Sequence, residues 1–192
     1  MLDEKQSAQN VSEYLRNKSI TKEKESKFVP FFLNNAKNSL EAAELLWNAS
    51  TDKTMQKTLQ IESFNGYLWV INASYYSMFY MARALLESIG VKIKQRKFVH
   101  EITYHCLVHY FYSAKKLQKT FIDDFEEAST TAAELLGQQK AAELVEDYGN
   151  EKSKRGIITY ETGVVAVQNK ARTSLERAKR FYGETGKIVK ER

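Results

Sequence analysis

The sequence predicts an all-α protein, an up-and-down bundle of about five helices. Three observations carry this. The 192 residues contain one proline and eight glycines, too little turn punctuation for a sandwich or barrel of that length. Hydrophobic residues make up 43% and aromatics 12%, enough for a packed core. Apolar residues recur at spacings of three and four over long stretches, the period of a helix with one buried face.

Taken in order, residues 1–27 read as a polar N-terminal arm. Thr21–Lys27 has no apolar member, and Val11, Tyr14 and Leu15 suggest one helical turn near Val11–Arg16. Residues 28–186 form the bundle. The first helix is expected from Pro30 to Asn48, with Pro30 in the first turn, where its missing N–H costs nothing. Its stripe is Phe32, Ala36, Leu40, Ala43 and Trp47. Residues 49–60 read as a polar connector. The second helix is expected from Ile61 to Ile89, stopped by Gly90, and is apolar nearly all round between Tyr67 and Leu86. Such a helix is central in its domain or is covered by a partner chain.

Residues 91–97 (VKIKQRK) alternate apolar and basic; the reading is a basic loop, with a short strand as the alternative. The third helix is placed at Phe98–Ser113 and the fourth at Leu117–Tyr148. Gly149–Arg155 is a polar turn. The fifth helix is placed at Tyr160–Thr185 on the stripe Val164, Val167, Ala171, Leu175, Ala178 and Tyr182, and residues 187–192 read as a tail.

The net charge is +5 and the pI about 9.1, which permits an anionic partner without demanding one. One cysteine excludes a disulfide framework and a Cys-rich zinc site. The N-terminal MLDEKQSAQN has acids early and no apolar run, so no signal peptide is expected. The apolar second helix is interrupted by Asn72, Ser74, Ser77 and Arg83, so no membrane span is expected and the protein reads as cytoplasmic. There is no Gly-rich phosphate loop and no Gly-x-Ser-x-Gly elbow.

Four local features remain. His100, His105 and His109 fall within ten residues; Glu101, His105 and His109 share one helical stripe. The reading is packing or interface histidines, since metal binding would need ligands from a second helix; no metal and no cofactor is assigned. Cys106 reads as a small buried apolar residue. Tyr75, Tyr76, Phe79 and Tyr80 are either core with hydroxyls at the rim or a stacking surface for a base. Arg155 ends a basic turn with Lys152 and Lys154, five residues before Tyr160; it is either a solvated turn or a guanidinium poised to grip a phosphate near a helix N-terminus.

Val70–Gly90 resembles the signature helix of the HEPN-domain family. The matching residues are Asn72, Tyr75, Tyr76, Phe79, Ala82, Arg83, Ala84, Leu85, Leu86 and Gly90. His100 and Phe111 match loosely the third helix of small archaeal and bacterial members. Arg155-Gly-Ile-Ile-Thr-Tyr160 is similar to their Arg-x-x-x-x-Tyr element, and Ala171–Phe181 to their final helix. The likeness spans roughly residues 30–185.

The resemblance implies a homodimer with a groove for nucleotides or RNA. Active members are metal-independent RNases with an Arg-x(4–6)-His motif, some of them toxins in toxin–antitoxin pairs with a nucleotidyltransferase partner. This chain has no His after Arg155, and Tyr160 takes the nearest place. A tyrosine of ordinary pKa near 10 is a poor general base at pH 7, though it donates a hydrogen bond to phosphate. Whether the protein is an enzyme therefore stays open.

The first expectation is a nucleotide- or RNA-binding module. Arg155 and Tyr160 would form its anion or catalytic pair, with Tyr75, Tyr76, Arg83, Lys94, Arg96, Lys97, His100 and Lys154 lining the binding surface. Lys92 would join that groove if residues 92–97 lie near Arg155. The alternatives are a toxin-type RNase, and a non-catalytic module docking a nucleotidyltransferase-like protein.

Overall fold

The computed structural model describes residues 3–95, 97–146 and 156–191, with side chains described outside 136–166. Among these residues are seven α-helices and one two-stranded sheet: α1 (Glu4–Arg16), β1 (Ile20–Lys22), α2 (Val29–Thr51), α3 (Lys53–Thr58), α4 (Tyr67–Ser88), β2 (Val91–Ile93), α5 (Val99–Leu107), α6 (Lys119–Glu146) and α7 (Gly156–Lys190). The architecture is an all-α bundle. A π-helical turn, Val108–Tyr112, continues α5.

The central element is α4. Met78, Met81, Ala82, Ala84, Leu85 and Leu86 are fully buried on several of its sides, and α2, α5, α6 and α7 all pack on it. Burial of each such Leu or Met side chain contributes about 1.5–3 kcal/mol. Paired side chains give the directions. Arg83 lies over Phe32, Ser77 bonds Ala36 and Tyr67 bonds Ser50, so α2 and α4 are antiparallel. Arg177 reaches Asp124 and Glu127 while Phe181 meets Phe121, so α6 and α7 are antiparallel too.

Five of the seven helices, α2 and α4–α7, correspond to those expected from the sequence. The other two come from segments read as polar. In the N-terminal segment, read as a polar arm with a helical turn near Val11–Arg16, the helix is longer: α1 is capped by Asp3, whose carboxylate accepts from Gln6 N–H, and buries Val11. β1 pairs antiparallel with β2, Ile20 opposite Ile93 and Lys22 opposite Val91, which settles the 91–93 segment as a strand. Gly90 opens this pair in the left-handed region, at φ 76°; a Cβ there would lie 2.0 Å from the Glu23 carbonyl oxygen.

Within the polar connector, Asp52 caps α3 through Thr54 and Met55 N–H. The buried Gln56 then donates to the carbonyls of Ala49 and Phe64. That turn delays the start of α4 from Ile61 to Tyr67. At the other end α7 continues through Lys190, because Thr185 and Val189 are buried against the bundle. No helix among the described residues is long and apolar enough to cross a membrane.

Candidate functional site

The outward face between α2 and α4 is a groove of about 700 Å³. On α4, residues 69, 72, 73, 76 and 80 follow the three-and-four spacing that puts them on one stripe. On α2, Ala36 and Ala43 are buried at the contact, while Asn35, Asn38 and Ser39 face the groove.

Its lining is of two kinds. Trp69 is 54% and Tyr76 37% exposed, and Tyr80 stacks near Tyr76 with ring centroids 6.0 Å apart. The same groove is lined by Asn72 on α4 and by Asn35 and Asn38 on α2, the Asn35 amide donating to Phe31 C=O at 2.8 Å. The Oδ1 of Asn72 is buried and has no hydrogen-bond partner among the described residues. An acceptor left so is costly, about 1–3 kcal/mol, unless something supplies a donor.

Behind this wall lies a polar chain. Tyr75 is 6% exposed; its hydroxyl meets His100 Nδ1 at 2.6 Å and accepts from Ser129 Oγ at 3.2 Å. Burial pushes the Tyr75 hydroxyl up to about 12. Burial, with the nearby Arg83 charge, holds His100 below its ordinary value, so the ring is neutral at pH 7. The His100 ring also packs on Phe79 at 4.4 Å. Tyr75 is therefore core, and only Tyr76 of the pair offers a face to a ligand.

Arg83 continues the stripe one turn beyond Tyr80. Its guanidinium sits 4.8 Å from the Phe32 ring and 5.9 Å from Phe79. Burial lowers its pKa, against the through-space effect of Glu87. No hydrogen bond or ion pair to it exists among the described residues. The carboxylate one turn on, Glu87, is already committed: it pairs with Lys92 and accepts Phe28 N–H at 3.0 Å. A cation–π contact gives about 0.5–2 kcal/mol. Taking a cation from water costs several kcal/mol. Arg83 is thus a half-buried cation with no ion-pair partner among the described residues.

The other expected residues divide. Lys92 is buried in an ion pair with Glu87, so its charge is already matched inside the protein. Lys94 is paired with Glu23 at 2.7 Å; that hydrogen bond, then one from Thr21, holds the Glu23 carboxyl below its usual range. Lys97 is exposed in the turn before α5, next to Phe98, which has a left-handed φ of 57° and is 67% exposed. Arg96, Lys154 and Arg155 lie outside the described residues, and so does the Tyr160 side chain. The distance from the 92–97 segment to Arg155 is accordingly outside them as well.

Of the remaining histidines, His105 bonds both its nitrogens to α1: Asn10 Nδ2 donates to Nε2 at 2.9 Å, and Nδ1 meets Ser7 Oγ at 3.1 Å. His109 packs edge-on against Tyr110. Cys106 is buried, and burial pushes its thiol up to about 12. Among the described residues no cluster of His, Cys, Asp or Glu could hold a metal ion.

Trp69, Asn35 and Asn38 were not singled out from the sequence. The spacing from Trp69 to Tyr76 to Tyr80 was visible, but the amides opposite need the α2–α4 register. Comparison with protein-family models, curated proteins and solved structures gives no match to this chain.

Proposed function

We propose that this protein is a nucleotide- or RNA-binding helical module that takes an unpaired base into the α2–α4 groove. The observation that carries the reading is the alternation of aromatic faces with carboxamides: Trp69, Tyr76 and Tyr80 beside Asn35, Asn38 and Asn72. Every base has a π-face to stack on a ring, which contributes about 1–3 kcal/mol per base. Its Watson–Crick edge offers donors and acceptors that a carboxamide matches. Asn38, which is exposed in the lining, would supply such a partner to the base edge. A bundle face of rings alone would suit any apolar surface; the amides are what a base requires.

The test uses the chain's two tryptophans, Trp47 and Trp69. In a Trp47→Phe background, Trp69 fluorescence is followed while nucleoside monophosphates or a single-stranded oligoribonucleotide are added, with chelator present. Stacking quenches Trp69, and Tyr76→Ala weakens binding about five- to hundredfold. Cleavage of the oligoribonucleotide in chelator would turn the reading towards a metal-independent RNase. Absence of quenching by all four nucleotides and by RNA would reject a base site in this groove.

A further inference from the structure

We infer that Arg83 forms a single-phosphate subsite at the end of the α2–α4 groove, holding the phosphate of the nucleotide whose base stacks beside Tyr80 and Tyr76. The nucleotide part of this rests on the base-binding reading above; the anion part does not.

Three observations converge on Arg83. It is a half-buried cation bonded to no anion among the described residues. Its own helix carries a carboxylate at i+4, Glu87, whose Oε1 is held by Lys92 and Phe28 N–H and which makes no ion pair with Arg83. Its guanidinium lies 4.8 Å from the Phe32 ring and 5.9 Å from Phe79, and its N–H groups, which meet no acceptor among the described residues, can donate to a bidentate oxyanion.

The position matches the groove. Arg83 lies three residues beyond Tyr80 and seven beyond Tyr76, roughly 4.5 and 10.5 Å along the helix axis. Successive stacked bases are about 3.4 Å apart along a strand. A phosphate on Arg83 thus leaves its own base against Tyr80 and a following one towards Tyr76. The described groove lining itself contains no cation, and Arg83 stands on the α4 stripe one turn beyond its Tyr80 end. The subsite therefore takes one phosphate of a mononucleotide or a strand end, and does not track a long backbone.

The experiment is an NMR titration of the full ¹⁵N-labelled chain with adenosine, cytidine, their 5′-monophosphates and inorganic phosphate, with acetate as a carboxylate control. The Arg83 Nε–H resonance is identified by its loss in Arg83→Lys. The 5′-monophosphates should bind at least tenfold more tightly than the nucleosides and shift that resonance. Arg83→Gln should erase the gain while nucleoside affinity stays within twofold, and Arg83→Lys should keep only part of it. Monophosphate affinity should fall as salt rises, while nucleoside affinity should hardly change.

Equal affinity for nucleoside and monophosphate, or a phosphate gain that survives Arg83→Gln, overturns the subsite and leaves base binding standing. A shift by inorganic phosphate without nucleoside binding upholds the subsite and rejects the base site. Equal shifts by acetate and phosphate overturn the phosphate assignment, and no response to any ligand rejects both. Should Arg83→Gln unfold, the Arg83→Lys variant and the wild-type resonance carry the same decision.

Discussion

Arg83 and Lys92 are two cations drawn out of water at the same end of α4, and they are resolved differently. Both lie near a phenylalanine of α2's first turn region, Lys92 5.7 Å from the Phe28 ring and Arg83 4.8 Å from Phe32. Lys92 also has a carboxylate: its side chain is 8% and that of Glu87 3% exposed. Arg83 has two rings and the through-space effect of Glu87, but no ion pair among the described residues. The pair at Lys92 closes a structural joint between α4, β2 and the start of α2. The solitary Arg83 leaves charge unspent at the edge of a groove. Basic residues in a sequence are thus poor guides to anion sites until it is known which have been matched internally.

That contrast breaks most visibly at Glu87. Glu87→Ala strands Lys92 as a buried unpaired cation and should cost about 3–5 kcal/mol in urea unfolding. A double change, Glu87→Leu with Lys92→Met, should recover most of it, because a buried ion pair is often no better than an apolar pair. A loss under about 1 kcal/mol for the single variant would show that the joint is not closed. Next in size is Tyr75→Phe. It leaves Ser129 and His100 without their shared hydroxyl and should cost about 1–3 kcal/mol by the same measurement.

Acidification should act more weakly, since the rings involved are about half in water. His100, His105 and His109 all have pKa values lowered by burial. The unfolded chain therefore takes up these protons first. Stability is full above about pH 6.5, the ordinary histidine value, and falls as the pH drops towards the lowered folded values. Urea midpoints at pH 7.5 and 5.5 check the sign, and His105→Gln should reduce the difference. Smallest of all is the effect of Arg83→Gln on folding, within about 0.5–1 kcal/mol by thermal melting. A loss as large as that of Glu87→Ala would make Arg83 a structural residue.

Much of the scaffold was legible because α2, α4 and α7 carry their own evidence: Pro30 in the first turn, Gly90 at the stop, stripes at helical spacing. α1 was not, since it buries little but Ser7 and Val11 and is recognised by His105, nearly a hundred residues away. β1 hides for the same reason: Ile20–Lys22 has one apolar member and signals nothing until its partner is known, whereas the alternation of Val91–Ile93 left a short strand open as the alternative. At the site, Tyr76 and Arg83 could be named from sequence, but not that Tyr75 turns inward or that Lys92 and Lys94 are already neutralised. Those are outcomes of register, which one strand of sequence does not contain.

The attachment of α1 and β1 also fixes an order of events in time. β1 bonds to residues 91–93 and α1 packs on α5 and the π-helical turn, so residues 4–22 have no native partner until residues 91–112 are in place. The α2–α4 hairpin, whose contacts are closer in sequence, can form before them. The N-terminal segment then docks as a late clasp. Weakening it at Val11 or Ile20 should hasten unfolding and hardly slow folding, which stopped-flow kinetics on Val11→Ala would show.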